Sequence, residues 1–397
     1  MKTYEHHPFS LLYRVAELYH GVDMHDVLLL ACQHMLAPQL KMFELLIKSG
    51  LNPENCLIAG KSYSTNESMM HKLCGLGCAV ADFSDEFHPL VSFDDWFDSK
   101  IDTFLFEELA GRNLASFRKI IVLDDGGFMH KAAVRFFGND PRLAGIEQTS
   151  SGHNRIKEAG ILFSTHYIVA RSTYKQYEEA PYIGHCGTTR ILEHIQKRGK
   201  NAPNILILGL GTIGRQMAGR LLIVQGLRGM AADIGYHNSK KSLRGFGANQ
   251  LLEFNGRHIE YAEAMRRLAE FDVIVGASGS PVLADSDIGR LHPEISLISM
   301  SSSDREFPAL HFRNGCTRVH DDCYVGDRCL ANSGFPITFM GLEHEVRPIE
   351  IELTIAQLQI CVMASAGEGS DILMPIMSNA MAQVHHIWQS ESQPTLV

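Results

Sequence analysis

The feature that most constrains this chain is an apolar strand that runs into a glycine-spaced turn and then a helix. Asn204-Ile205-Leu206-Ile207-Leu208 is followed by Gly209-Leu210-Gly211-Thr212-Ile213-Gly214 and by the helical stretch Arg215 to Ile223. The spacing has a physical logic. A glycine at 209 permits a tight turn, one at 211 lets a pyrophosphate approach the backbone, and one at 214 lets the helix pack closely on the strand with its N-terminus facing the phosphates. About twenty residues further on, the strand Gly229-Met230-Ala231-Ala232-Asp233 ends in an acid, placed to hold both ribose hydroxyls and to repel a 2′-phosphate. Together these predict a Rossmann domain that binds NAD, with Gly209, Gly211, Thr212, Ile213, Gly214 and Asp233 at the cofactor. Lys240 and Lys241, a few residues on, pull the other way, toward NADP. The small-residue turn Ala277-Ser278-Gly279-Ser280, after another strand, adds Ser278 and Gly279 as contacts.

This domain accounts for less than half of 397 residues, and a chain of that length is comfortable as two domains. Upstream, helices expected at Pro38 to Lys48, Glu67 to Leu73 and Phe93 to Ala110 alternate with strands expected at Cys56 to Gly60, Cys78 to Ala81 and Lys119 to Leu123. Apolar strands separated by helices predict a parallel sheet covered on both faces, and such sheets bind ligands at the carboxyl ends of their strands. Asp124-Asp125-Gly126-Gly127 falls at such an end; the same residues also suit an ordinary solvated turn. After Cys186 the series is Thr188 to Lys197 (helix), Gly229 to Ile234, Phe271 to Val275 and Ser296 to Met300 (strands), and then helices at Ile349 to Ala364 and near Ile372 to His386.

Charge and composition exclude some functions. The net charge is −9 with no Lys/Arg stripe, so nucleic acid is not an expected partner. No apolar run approaches the length that spans a bilayer, and the N-terminus lacks a signal-peptide core, so a cytoplasmic protein is expected. Nine cysteines scattered through such a chain are expected to be reduced thiols. His311, Cys316, His320 and Cys323 match no structural zinc spacing, and no metal is expected.

With these elements in place the chain resembles S-adenosylhomocysteine hydrolases over most of its length. Ala31-Cys32-Gln33-His34-Met35 is similar to the family's A-C-L-H-M, Leu123-Asp124-Asp125-Gly126-Gly127 to its L-D-D-G-G, and Gly145 to Asn154 to its G-I-S-E-E-T-T-T-G-V-H-N. Gly209 to Gly214 matches its NAD motif, and Ser333-Gly334-Phe335-Pro336-Ile337-Thr338-Phe339 lies where it carries E-G-R-L-V-N-L. The resemblance implies a hydride shuttle: a ribose 3′-hydroxyl is oxidised, homocysteine is eliminated, water adds, and the ketone is reduced again on the same NAD. It implies two doubly wound α/β domains, a discontinuous substrate domain (1–186, continued by 346–397) and an inserted NAD domain (187–345). Closure about hinges near Gly184–Gly187 and Gly341–Arg347 would gate the reaction, and a homo-oligomer, dimer or tetramer, is implied.

The resemblance implies His34 as acid or base, Asp125 as the group orienting a hydroxyl, His153 in the polar core and Lys175 assisting proton abstraction. Gln148 stands where the family has a glutamate and cannot act as a base. Between Thr173 and Cys186 two alignments remain open: counting back from Cys186 puts Pro181 and Tyr182 on the family's Asp-Asn pair, whereas a three-residue insertion puts Glu178 and Glu179 there. Glu178 and Cys186 are therefore site candidates, and Ser302 and Thr338 fall at cofactor positions. Leu36 and Pro38 replace the adenine-reading residues, leaving Gln39 as the nearby polar group. The expected activity is thus an adenosylhomocysteinase-like NAD enzyme on another nucleoside-like or thioether small molecule; the alternatives are a dehydrogenase with exchangeable NAD and an inactive NAD-binding regulator.

Overall fold

The computed structural model describes residues 9–233, 257–340, 348–367 and 380–389, and its chain divides into two compact units. The first comprises residues 1–86, 97–179 and 341–397, and the second residues 87–96 and 180–340.

The first unit is built on six parallel strands: β1 (Val27–Met35), β2 (Cys56–Thr65), β3 (Ala79–Val80), β4 (Lys119–Asp124), β5 (Leu143–Glu147) and β6 (Thr165–Ile168). Their spatial order is 3-2-1-4-5-6, the doubly wound arrangement. Val27 to Cys32 and Ile120 to Leu123 are fully buried, as uninterrupted apolar strands covered on both faces must be. The sheet reverses direction of winding between β1 and β4, whose register pairs Cys32 with Asp124, so the crevice for a ligand opens just beyond those residues. The helix Pro348–Ala366 belongs to this unit; from Ile351 to Ala366 it is buried on all sides. Its one buried acid there, Glu352, accepts the backbone N–H groups of Leu11 and Leu12 at 2.9 and 3.2 Å, satisfying orphan donors at the start of the helix Ser10–Leu18.

The second unit carries β7 (Ile205–Leu208), β8 (Gly229–Ala232), β9 (Val273–Gly276), β10 (Ser296–Ser299), β11 (Cys323–Val325) and β12 (Arg328–Leu330). The order is 11-12-10-9-7-8, parallel except for the β11–β12 hairpin. Winding reverses between β7 and β9. The fold is therefore the expected α/β class with two doubly wound sheets. Among the described residues no helix is long and apolar enough to cross a membrane.

Two expectations are corrected here. Gly184–Gly187, the first expected hinge, lies inside the continuous helix Ala180–Lys197, which begins well before the expected Thr188. These glycines serve packing: a Cβ on Gly184 would sit 2.5 Å from the Cβ of Gln216, and one on Gly187 would run into Met300. The second expected hinge, 341–347, lies outside the described residues, as do Lys240 and Lys241. Cys316 and Cys323 are not free thiols; the loop brings their Cα atoms to 6.0 Å and they form a disulfide. Asp321 closes this loop by accepting the N–H groups of Thr317 and Arg318.

Candidate dinucleotide and acid–base sites

In the second unit the glycine turn does what its spacing demands. Gly209 ends β7 at φ 105°, and a Cβ there would stand 2.6 Å from the Ala277 carbonyl carbon and the Ser278 nitrogen, so the two loops at the β7/β9 switch point meet backbone to backbone. Gly214, in the helix Thr212–Ala218, faces the Gly209 carbonyl so closely that no side chain fits. Gly211 is different. It is exposed, its φ is an ordinary −64°, and a Cβ would meet nothing within 4 Å. Two glycines are thus needed by the fold, and at the third the fold leaves open space.

Asp233, directly after β8, accepts the Leu210 N–H at 3.1 Å, and Arg215 donates to the Leu210 carbonyl at 2.6 Å, so both peptide groups flanking the Leu210 Cα are held. Thr212 and Ile213 form the first turn of the helix, Ile213 packing on the core of this unit. Ser278 and Gly279 are held by a residue the sequence did not announce. Glu306, fully buried, accepts Ser278 N–H at 2.6 Å, Gly279 N–H at 3.1 Å, and the Ser278 and Ser299 hydroxyls at 3.2 and 2.8 Å. Changing Glu306 to Gln would turn an amide N–H₂ toward donors. We expect a stability loss of about 1–3 kcal/mol and NAD binding weakened about tenfold, read by thermal melts and NAD titration. Ser302 lies half-buried in the loop after β10, and Thr338 is buried just beyond Pro336, which bridges to Ser299.

In the first unit the carboxyl ends of the strands gather a charged set. Asp125, just past β4, is buried and paired with Lys61 on β2, itself buried. Its other oxygen lies 3.3 Å from His34 Nε2 on β1, and His34 Nδ1 is 2.6 Å from the Ser64 hydroxyl. Burial alone would raise the Asp125 carboxyl, but Lys61 and His34 outweigh it and hold it well below the usual carboxylate range. Burial likewise opposes the Lys61 charge, and Asp125 more than restores it, raising Lys61 above the usual range. Asp125 and Lys61 are therefore a true buried ion pair with His34 at its open side.

Several other buried polar atoms of this unit have no hydrogen-bond partner among the described residues: both amide atoms of Gln33, and Gln39 Oε1, Ser62 Oγ and Gln148 Oε1. Each lies on or beside the carboxyl ends of β1, β2 or β5, where a bound polar molecule would satisfy them. Gln39, retained where the adenine-reading positions changed, is thus one of the unsatisfied groups.

The remaining candidates are placed as follows. His153 sits half-buried in the helix Ser150–Glu158, with its basicity lowered by burial and by Arg171 and Lys157. Lys175 and Glu178 lie in the π-helical turn Lys175–Glu179, where Lys175 pairs with Glu179 at 3.4 Å and Glu178 with His385 at 3.2 Å. Burial raises the Glu179 carboxyl, partly offset by Lys175, and the charge of Asp125 adds to the rise. Glu179 rather than Glu178 is therefore the acid associated with Lys175 and Asp125. Cys186 is in the helix Ala180–Lys197 and belongs to the second unit, whereas the acid–base set belongs to the first.

One consequence concerns pH. Burial, then His130 and His153, push His166 from the ordinary 6.5 down to about 4, with Asp124 opposing. Below pH 6.5 the unfolded chain takes up a proton that the folded chain refuses, so stability falls as pH drops from 6.5 toward 4. Because His166 is partly exposed, about 1–2 kcal/mol is expected over that window after allowance for solvent screening. Melts at pH 7 and 4.5 should show the loss, and a smaller one in His166→Phe; equal losses would refute the assignment.

No protein-family profile matches the chain. It is 30% identical over 327 residues to an uncharacterized protein of Mycobacterium tuberculosis, found in strains CDC 1551 / Oshkosh and ATCC 25618 / H37Rv. The match covers 80% of this chain and about 60% of the relative's length. Among solved structures the chain is similar to a dipicolinate synthase from Bacillus halodurans (12% identity, 92% and 99% of the two chains, TM-score 0.44). It is also similar to a transhydrogenase from Sinorhizobium meliloti (8% identity, 86% and 95%, TM-score 0.38). At these scores neither likeness assigns a residue role, and the adenosylhomocysteinase resemblance rests on the sequence blocks quoted above.

Proposed function

We propose that this chain is an NAD-dependent enzyme that uses a hydride shuttle on a nucleoside-like or thioether substrate other than S-adenosylhomocysteine. The observation that carries the reading is the open space over Gly211, kept free between two glycines that the fold itself requires. NAD bound there would accept a hydride from a carbon bearing a hydroxyl. Asp233 at the end of β8 favours NAD over NADP, since a 2′-phosphate facing this carboxylate would be repelled.

The first unit supplies the protein side of the chemistry. Asp125, kept ionised by Lys61, would orient the substrate hydroxyl, and His34 beside it would act as acid or base, with Ser64 fixing the ring through Nδ1. Gln33, Gln39, Ser62 and Gln148 would orient the polar parts of the substrate. Lys175, beside Glu179, is placed to assist a second proton transfer.

Gln148 favours a second reading. Its buried amide carries no charge where the resembled family has a carboxylate, which supports oxidation without elimination and an NAD that exchanges. One experiment separates the two: native mass spectrometry of the purified protein, then denaturation and assay of released nucleotide. NAD retained near one per chain supports the shuttle. Weak, exchangeable binding with NADH formed in proportion to substrate supports the dehydrogenase, and no binding refutes both.

A further inference from the structure

Behind the ion pair of the first unit lies a second cluster that the hydride chemistry does not use. Asp124 is the last residue of β4 and Glu147 the last of β5, and the register sets them directly opposite each other. His130 comes from the first turn of the helix Phe128–Phe137 that follows β4. All three are completely buried. One ligand-capable atom from each lies within 4.8 Å of the others, and His130 Nδ1 is 2.9 Å from Asp124 Oδ2 and 4.0 Å from Glu147 Oε2.

The cluster is closely packed, and glycines are what admit its side chains. A Cβ on Gly145 would stand 2.5 Å from His130 Nε2, and one on Gly152 would enter the Glu147 carboxyl, so two glycines make room for these side chains. Glu147 Oε1 is occupied by the Thr149 N–H and hydroxyl at 2.6 and 2.7 Å and by the Gly126 N–H at 3.1 Å. Asp124 Oδ2 is occupied by the His130 N–H at 2.8 Å and by Nδ1. That leaves Asp124 Oδ1, Glu147 Oε2 and His130 Nε2, each buried, without a hydrogen-bond partner among the described residues.

Charge makes the same demand. Two acidic side chains face one imidazole, all three fully buried; burial and the charges of Asp124 and Asp125 push the Glu147 carboxyl up, and Lys61 is committed to Asp125. Buried carboxylates are retained when paired or bound to a metal, and otherwise carry a cost of several kcal/mol each.

We propose that Asp124, His130 and Glu147 form a metal site for a divalent first-row transition ion, with zinc as its reference occupant. Oxygen-only sites suit calcium and magnesium, whereas one imidazole with two carboxylates suits zinc, manganese or cobalt. The ion would bond Asp124 Oδ1, Glu147 Oε2 and one imidazole nitrogen of His130. It would tie β4, β5 and the following helix together beneath Asp125.

The test uses the whole chain, produced in zinc-supplemented medium so that a buried site loads as the protein folds. It is desalted before metal analysis and compared with Glu147→Gln and His130→Gln. We expect about one zinc per chain in the parent, below about a tenth of that in both variants, and NAD binding by the second unit unchanged. Zinc loading should also raise Tm by about 5 °C or more. With 20 histidines in the chain, surface binding is the competing source, and the variants would then retain as much metal as the parent, which overturns the proposal. If a variant fails to fold, cobalt in the parent decides: ligand-field bands of a nitrogen–oxygen site without thiolate charge transfer support the assignment. Parent protein that desalts metal-free and shows no Tm shift with zinc, manganese or cobalt refutes it.

Discussion

Replacing Lys61 with Met should cost about 3–5 kcal/mol of stability, because it strands the Asp125 carboxylate in a site it can occupy only when paired. Both side chains are about 1% exposed, so solvent cannot take over the role of the ammonium. His34, at 3.3 Å, is the other group that lowers the Asp125 carboxyl, and it is also engaged by Ser64. The double variant Lys61→Met with Asp125→Asn should recover more than half of that loss, since it removes the charge along with its partner. Under the proposed function, activity should fall by about 10²–10⁴-fold in both, because the group proposed to orient the substrate hydroxyl would be misplaced in one and neutral in the other. The depressed Asp125 pKa adds a sign to the argument. The pair contributes stability above the unfolded carboxyl value of 3.8 and loses it as pH falls toward the folded one, so the gap between parent and single variant should narrow in strong acid. Chemical denaturation at neutral and acid pH measures all of this. A single variant as stable as the parent, or a double variant no better than the single, would show that Asp125 does not depend on Lys61.

Lys61 also shows where the sequence stops being readable. The apolar pattern ends its strand at Gly60, because Lys61-Ser62-Tyr63-Ser64 reads as polar, yet β2 continues through Thr65. A strand carries polar residues at its carboxyl end where these line a ligand crevice, so the polarity that breaks the pattern is itself a signal of a candidate site. His34 and Asp125 are legible because the resemblance singles out their blocks; the lysine between them has no motif of its own. Glu306 is a stronger case. It lies 28 residues from Ser278 in sequence, and nothing in its neighbours says that its carboxylate will fasten the 277–280 loop. Contacts made through tertiary packing leave no periodicity to read. The Rossmann turn is legible for the opposite reason: its constraints are local, a tight turn and close backbone approach, and only glycine meets them. Gly184 and Gly187 show that glycine has two uses. Flexibility and close packing look alike in sequence, and here a helix meeting Gln216 and Met300 needs the second.

The same distinction among glycines gives the sharpest test of the cofactor site. Gly211→Val should leave the second unit folded and abolish dinucleotide binding. The backbone at 211 has an ordinary φ of −64°, the residue is exposed, and an added Cβ meets nothing, so Tm should stay within about 2 °C of the parent. The branched side chain would fill the space left for the pyrophosphate, and NAD affinity should fall at least about 100-fold, or about 3 kcal/mol. Gly209→Ala is the contrasting variant. At φ 105°, with its Cβ forced to 2.6 Å from the Ala277 and Ser278 backbone, it should lose stability and binding together. NAD titration alongside thermal melts separates the two glycines: one kept for the fold, one kept for the ligand. Should Gly211→Val bind NAD as the parent does, the pyrophosphate does not cross this turn, and the dinucleotide reading of the second unit fails with it.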